Sequence, residues 1–137
     1  PVDIETARVR RIGTDVTVVT HGGSLWKVLE AADSLAEQGV SAEVIDLRSL
    51  RPLDTDTIVD SVVKTHRLVV VDEGWKTAGL SAEIVALVTE DAQWDLDSPV
   101  KRVCGVEVPI PYAKHLEEAS IPQVSGIEAA VRAVVGS

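Results

Sequence analysis

Phenylalanine and methionine are absent from this 137-residue chain, and cysteine occurs once. A core without Phe must be filled by Val, Leu, Ile and Ala, and the composition predicts that they pack around the three tryptophans. The single Cys104, in the apolar run "VKRVCG", excludes an internal disulfide and reads as a small buried hydrophobe in a reducing compartment. A chain without Met also lacks a start residue, which suggests either trimming to Pro1 or a cut from something longer. No apolar run approaches the ~20 residues that cross a bilayer, and the N-terminus lacks the basic and apolar blocks of a signal peptide, so no membrane partner is expected. Positive charge is scarce too. The net charge is −9, and no basic cluster exceeds the pair Arg10-Arg11, which opposes binding to nucleic acid.

What is present is an apolar fraction of 45%, enough for a folded core in one domain of this length. "RVRRIG" (Arg8 to Gly13) reads as a short exposed edge strand and "DVTVVT" (Asp15 to Thr20) as a buried one. The turn "THGGS" leads into a helix with Ser24 as N-cap. Its apolar face is Leu25, Val28, Leu29, Ala32, Leu35 and Ala36, and Gly39 stops it. "SAEVIDL" is a strand. Asp54 is placed to cap the next helix, with Leu53 and Ile58 as a hydrophobic staple and Val59, Val62 and Val63 on the buried face. "HRLVVVDEG" is a strand, and the following helix turns Leu80, Ile84, Leu87 and Val88 inward. "SPVKRVCG" opens a fourth unit. Pro109, Pro111 and Pro122 then impose a structured loop with one short helical turn. The last helix opens at Ser125-Gly126-Ile127-Glu128, read as a capping box. This alternation predicts a three-layer α/β fold with a mainly parallel sheet covered on both faces.

Candidate chemistry is thin. The T-H-G-G-S turn lacks both G-x-G-x-x-G and G-K-[ST], so it is either a plain strand-to-helix turn or a small-anion site at a helix N-terminus. His21-Gly22-Gly23 has the form of an oxyanion loop. Gly79 to Glu83 holds a serine without the final glycine of a nucleophile elbow, so Ser81 reads as a helix-start residue. His21, His66 and His115 have no metal-ligand spacing. Asp72-Glu73 is either an acid–base pair at the carboxyl edge of the sheet or a pair of solvated or capping carboxylates. "TEDAQWDLDSP" interleaves acidic residues with Trp94 and Leu96, which suits either a surface for a basic partner or a solvated helix end.

Three stretches carry a resemblance: "VIDLRSLRPLD" (Val44 to Asp54), "VPIPYAK" (Val108 to Lys114) and the tail to Val124. With the segment from Gly13 to Trp75, they resemble the C-terminal domain of the β subunit of thiamine-diphosphate-dependent 2-oxo acid dehydrogenases, within the wider transketolase C-terminal domain family. The likeness spans essentially the whole chain and is greatest to the pyruvate dehydrogenase branch, with acetoin dehydrogenase close behind. It implies a three-layer α/β/α sandwich with a mostly parallel five-stranded sheet and one antiparallel edge strand, for which Arg8 to Ile12 is the candidate. It also implies that residues 1–137 are one transketolase C-terminal-like domain of a longer β subunit, with no catalytic, cofactor-binding or metal residues of its own. Thiamine diphosphate and magnesium belong to the complete enzyme.

The partners implied are the chain's own N-terminal β domain, an α subunit, a second β subunit and the lipoyl acyltransferase component. The resemblance places Asp97 where one branch of the family carries the acidic residue that docks the acyltransferase, with Trp94 beside it as an apolar contact. A bacterial cytoplasm or a mitochondrial matrix is the expected compartment. The expected function is assembly and docking within a pyruvate dehydrogenase-type decarboxylase. The alternatives are the same domain of an acetoin or branched-chain 2-oxo acid dehydrogenase, or a free-standing binding module.

Overall fold

The computed structural model describes residues 3–136. Five strands form one sheet in the order β1-β3-β2-β4-β5: β1 (Arg8–Arg11), β2 (Val16–Thr20), β3 (Ala42–Asp46), β4 (Leu68–Trp75) and β5 (Lys101–Gly105). The last four run parallel, and β1 lies antiparallel against β3 at one edge, pairing Arg8 with Asp46 and Val9 with Ile45. Parallel strands need long crossovers, and helices supply them. α1 (Ser24–Glu37) joins β2 to β3, α2 (Thr55–Thr65) joins β3 to β4, and α3 (Leu80–Ala92) joins β4 to β5. α4 (Lys114–Ser120) and α5 (Val124–Val135) close the chain.

Because both faces are covered, β2 is buried at every position and β3 at all but its last. α1 and α5 seal one face over Val16, Val18, Val44, Val69 and Val71. α2 and α3 seal the other over Val19, Ile45, Leu68 and Val70. The three-layer sandwich and its antiparallel strand therefore stand as the resemblance implies. The tryptophans do not. Trp26, Trp75 and Trp94 are 70%, 52% and 94% exposed, because aliphatic side chains already fill both cores and all three lie in segments near the strand ends.

Helix boundaries separate local signals that held from those that tertiary contacts overrode. Asp54 caps α2 by accepting from the Thr57 N–H at 3.1 Å, and Ile58 is buried with Leu53 packed in the same core. Gly39 stops α1 at φ +84, a conformation few other residues adopt cheaply. Ser24, by contrast, is the first residue of α1 rather than its N-cap, because its hydroxyl donates to Glu73 Oε1 at 3.0 Å on β4. Ser125 to Glu128 is not a capping box. α5 begins two residues earlier, with Gln123 as N-cap, and Glu128 pairs with Arg132 one turn on. Ala36 and Val63 are exposed, whereas Ala31 joins the buried face of α1. Cys104 is half-buried, its Sγ 3.3 Å from the Ser81 hydroxyl.

One polar chain runs under α2. Glu43, on the interior strand β3 and buried, accepts from Ser61 Oγ at 2.6 Å, from the Gly13 N–H at 3.3 Å and from Lys64 Nζ. A carboxylate only accepts, so Ser61 gives its proton to Glu43 and Thr17 Oγ1 donates to Ser61 at 2.6 Å. Thr65 Oγ1 lies 2.7 Å beyond Thr17. Burial pushes the Glu43 carboxyl up, but the bonds from Lys64, Ser61 and Gly13 outweigh it and hold it below its ordinary value of 4.5. A group depressed in this way adds stability above its unfolded value, and that contribution is lost as pH falls through the folded one. Glu43→Gln is expected to cost about 1–3 kcal/mol near neutral pH. In urea unfolding, the gap to the unsubstituted protein should shrink as pH is taken below 4.5; a gap constant with pH would show that the ionised form is not what the site stabilises.

Candidate functional site

The carboxyl ends of β2 and β4 bring together the residues most able to do chemistry. After Thr20 the chain turns through His21 and Gly22, the latter at φ +62, and Gly23 is the N-cap of α1. From β4, Asp72 and Glu73 face this turn. His21 Nε2 donates to Asp72 Oδ1 at 3.3 Å, the Gly74 N–H donates to the same oxygen at 2.9 Å, and the Ser81 N–H donates to Oδ2 at 3.3 Å. Asp72 is thus a fastening between the β2 turn and the start of α3.

Glu73 does the same for α1. Its Oε1 accepts from the Ser24 hydroxyl and lies 3.3 Å from where a Cβ on Gly23 would stand, so the protein's own carboxylate stands beside the helix N-terminus, where its charge opposes a second anion. These residues do not fit an added diphosphate or other anion, and the T-H-G-G-S segment is a turn closed by internal bonds. The two adjacent carboxylates are therefore not an acid–base pair but separate anchors. Among the described residues, no group of three or more His, Cys, Asp and Glu side chains converges on a metal position.

The hydrogen bond from His21 holds the Asp72 carboxyl below its ordinary 3.8, and the same contact raises the His21 imidazole above 6.5 despite its burial. Glu73 and Asp46 add to the rise at His21.

Two further surfaces lie at opposite ends of the strands. At the carboxyl end, beyond β5, the segment 106–116 exposes Val106, Val108, Ile110, Tyr112 and Leu116, with Tyr112 wholly in solvent. It is fixed to the body: Val106 N–H donates to Ser120 O at 2.8 Å, and Thr77 N–H to Glu107 Oε1 at 2.9 Å. Gly105 permits the crossing, since a Cβ there would stand 2.2 Å from Glu73 O. A groove of about 330 Å³ lies among Val106, Pro109, Pro111 and Leu116. Trp75, at the end of β4, and Trp26, in the first turn of α1, add exposed aromatic area at this end.

At the amino end, the 3-10 turn Gln93–Asp95 carries Trp94, and the exposed Asp97 follows two residues later. The structure thus brings the two predicted docking residues onto one corner. The carboxylates of Asp95 and Asp97 make no hydrogen bond or ion pair among the described residues. What the sequence did not expose is His66, whose ring and backbone both bind this corner. The available signal was its place as the residue between a helix and a strand with no glycine to end the helix.

The model of the transketolase C-terminal domain matches residues 5–127. The chain belongs to that family. Over 97% of its length, this transketolase C-terminal domain is 48% identical to the Dictyostelium discoideum protein named pyruvate dehydrogenase E1 component subunit beta, mitochondrial, and it spans 37% of that protein. It is 43% identical, over 98% of its length, to the pyruvate dehydrogenase E1 component subunit beta of Rickettsia felis and spans 41% of it. Among solved structures, one described as a split gene transketolase, inactive beta4 tetramer, superposes with a TM-score of 0.84 at 28% identity, covering 98% of this chain and 43% of the other. The domain thus spans well under half the length of these relatives. Among the described residues, no helix is long and apolar enough to cross a membrane.

The His21–Asp72 contact makes a titration prediction with a definite sign. A raised His contributes stability that is complete below its unfolded value of 6.5 and lost as pH rises through the folded one, whereas Asp72 contributes above 3.8 and loses its share as pH falls through its own folded value. The pair therefore stabilises most between these limits. Followed by NMR at the imidazole protons, His21 should titrate above 6.5, and Asp72→Asn should bring the midpoint down because burial then acts without its main opponent. An unmoved midpoint would show that Asp72 does not set it.

Proposed function

We propose that this domain is the noncatalytic assembly and partner-docking part of the β subunit of a pyruvate dehydrogenase-type decarboxylase. The observation that carries the reading is the apolar carboxyl end. On a domain of net charge −9, Ile110 and Tyr112 stand in solvent, which suits a surface covered by another subunit. The 48% identity to a pyruvate dehydrogenase β subunit supports that assignment.

In the complete enzyme, thiamine diphosphate and magnesium supply the chemistry that decarboxylates a 2-oxo acid before the acyl group passes to a lipoyl carrier. The residues of this domain contribute none of those steps. Its partners are its own N-terminal β domain, an α subunit and a second β subunit, all reached from the carboxyl end, and the lipoyl acyltransferase component. The acyltransferase docks at the amino end, where the Asp97 carboxylate receives a basic side chain and Trp94 covers its apolar stem. A bacterial cytoplasm or a mitochondrial matrix would house the assembly, in keeping with the bacterial and mitochondrial relatives.

Assembly is tested by carrying Ile110→Asp with Tyr112→Asp in the natural gene and purifying with an antibody to this domain. The α subunit should co-purify with the unsubstituted protein, in a polypeptide well above 14.6 kDa, and be lost from the variant. Undiminished co-purification overturns the assembly role, and a natural band near 14.6 kDa would make the chain a free-standing module. Docking is tested separately. Asp97→Lys should weaken binding of the purified acyltransferase component about tenfold or more without lowering the unfolding temperature; equal affinity removes Asp97 from the interface.

A further inference from the structure

His66 ends α2 in the left-handed region at φ 62, its N–H donating to Val62 O at 2.7 Å. A helix that ends this way reverses direction and frees its last carbonyl for a partner outside the helix. Here the partner is the Trp94 corner. His66 O accepts from the Asp97 N–H at 2.9 Å, and the ring Nδ1–H donates to Asp95 O at 2.8 Å. A carbonyl can only accept, so the geometry fixes the tautomer with the proton on Nδ1 or the doubly protonated ring.

Beyond the helical bonds that continue α3 into the turn, these two hydrogen bonds tie residues 93–97 to the end of α2. They grip the backbone on both sides of Leu96, whose side chain packs against the α2 and α3 core. The turn is thereby held at two hydrogen bonds and one apolar anchor. Trp94 is left 94% exposed and the Asp97 carboxylate unpaired, both projecting from a fixed backbone. Exposed side chains on a mobile turn would lose conformational freedom on binding, whereas side chains on a clamped turn lose much less.

We propose that His66 is the positioning residue that pre-organises the Trp94–Asp97 corner to receive a basic segment of a partner protein. The inference rests on the docking role proposed for that corner. His66 itself is not required to touch the partner. Its role divides into two parts that substitution can separate: the left-handed backbone, which presents its carbonyl to Asp97, and the ring, which holds Asp95.

The test measures affinity in the complete β subunit with the purified acyltransferase component as probe, and the mobility of the corner in the 137-residue chain, whose folding the thermal melts check. His66→Gly keeps the left-handed backbone and the Asp97 bond but removes the ring. His66→Asn keeps the backbone and restores a short side-chain donor. In a background carrying Trp26→Phe and Trp75→Phe, Trp94 is the sole indole, and its anisotropy decay reports the mobility of the corner.

The expected result is a five- to tenfold weaker affinity and faster Trp94 depolarisation for His66→Gly, with both returned toward the unsubstituted values by His66→Asn. Asp97→Lys serves as the internal control. If Asp97→Lys weakens binding and His66→Gly does not, the positioning role is overturned while the docking role stands. If Asp97→Lys leaves affinity unchanged, the docking role fails and the proposal fails with it. A thermal melt of each variant separates loss of the clamp from loss of the fold, because a merely structural His66 would lower affinity only in step with stability and would not be rescued selectively by Asn.

Discussion

Four parallel strands cannot be joined by tight turns, and that constraint organises everything else in this domain. Each of β2, β3 and β4 must return through a helix to start the next strand at the same end, so the strand starts collect on one side and the strand finishes on the other. The two ends have diverged in chemistry. The finishing end gathers the His21–Asp72 and Ser24–Glu73 contacts, two tryptophans and the solvent-facing apolar segment after β5. The starting end gathers the Trp94 turn with its unpaired carboxylates. A domain with two dissimilar poles can bind two partners at once without either obstructing the other.

α2 connects these poles to the sheet. Its inner face is fastened by the hydrogen-bonded chain from Glu43 through Ser61 to Thr17 and Thr65, and its last residue hands over to His66. Burying a carboxylate on an interior strand is costly unless its lone pairs find donors, and here the donors come from Ser61 and Lys64 of α2 and from the loop before β2. A polar connection of this kind specifies register more narrowly than apolar packing does, because a helix displaced by one turn would take Ser61 and Lys64 away from Glu43. The end of α2, and with it the corner it grips, is therefore placed by the sheet.

Much of the fold was legible because it is written in local patterns. β-branched runs marked β2 and β4, Asp54 and Gly39 marked helix ends, and the proline spacing marked the loop before α4. What was misread depends on residues distant in sequence. Ser24 has the chemistry of a cap, yet its hydroxyl donates to Glu73, 49 residues away. Ser125 and Glu128 have capping-box spacing, but α5 starts earlier because its packing against α1 and the sheet decides the first turn. The tryptophans read as core by composition alone, since composition carries no information about which end of a strand a large side chain follows. The docking pair came from a resemblance, and its neighbour His66 stayed hidden because its partners lie 29 and 31 positions on in the chain.

The edge strand β1 holds a last consequence. Its sequence is Arg-Val-Arg-Arg, most of it exposed, and its pairing with β3 is interrupted by a register shift between Val9 and Arg11. An open strand edge is an invitation for copies of the sheet to join end on end into fibres. Repelling guanidinium groups and an irregular ladder make such polymerisation unfavourable. Whatever contacts its two poles make, the flank of the sheet is thus kept from pairing with copies of itself, and the domain stays dispersed at concentrations where an open edge would drive polymerisation.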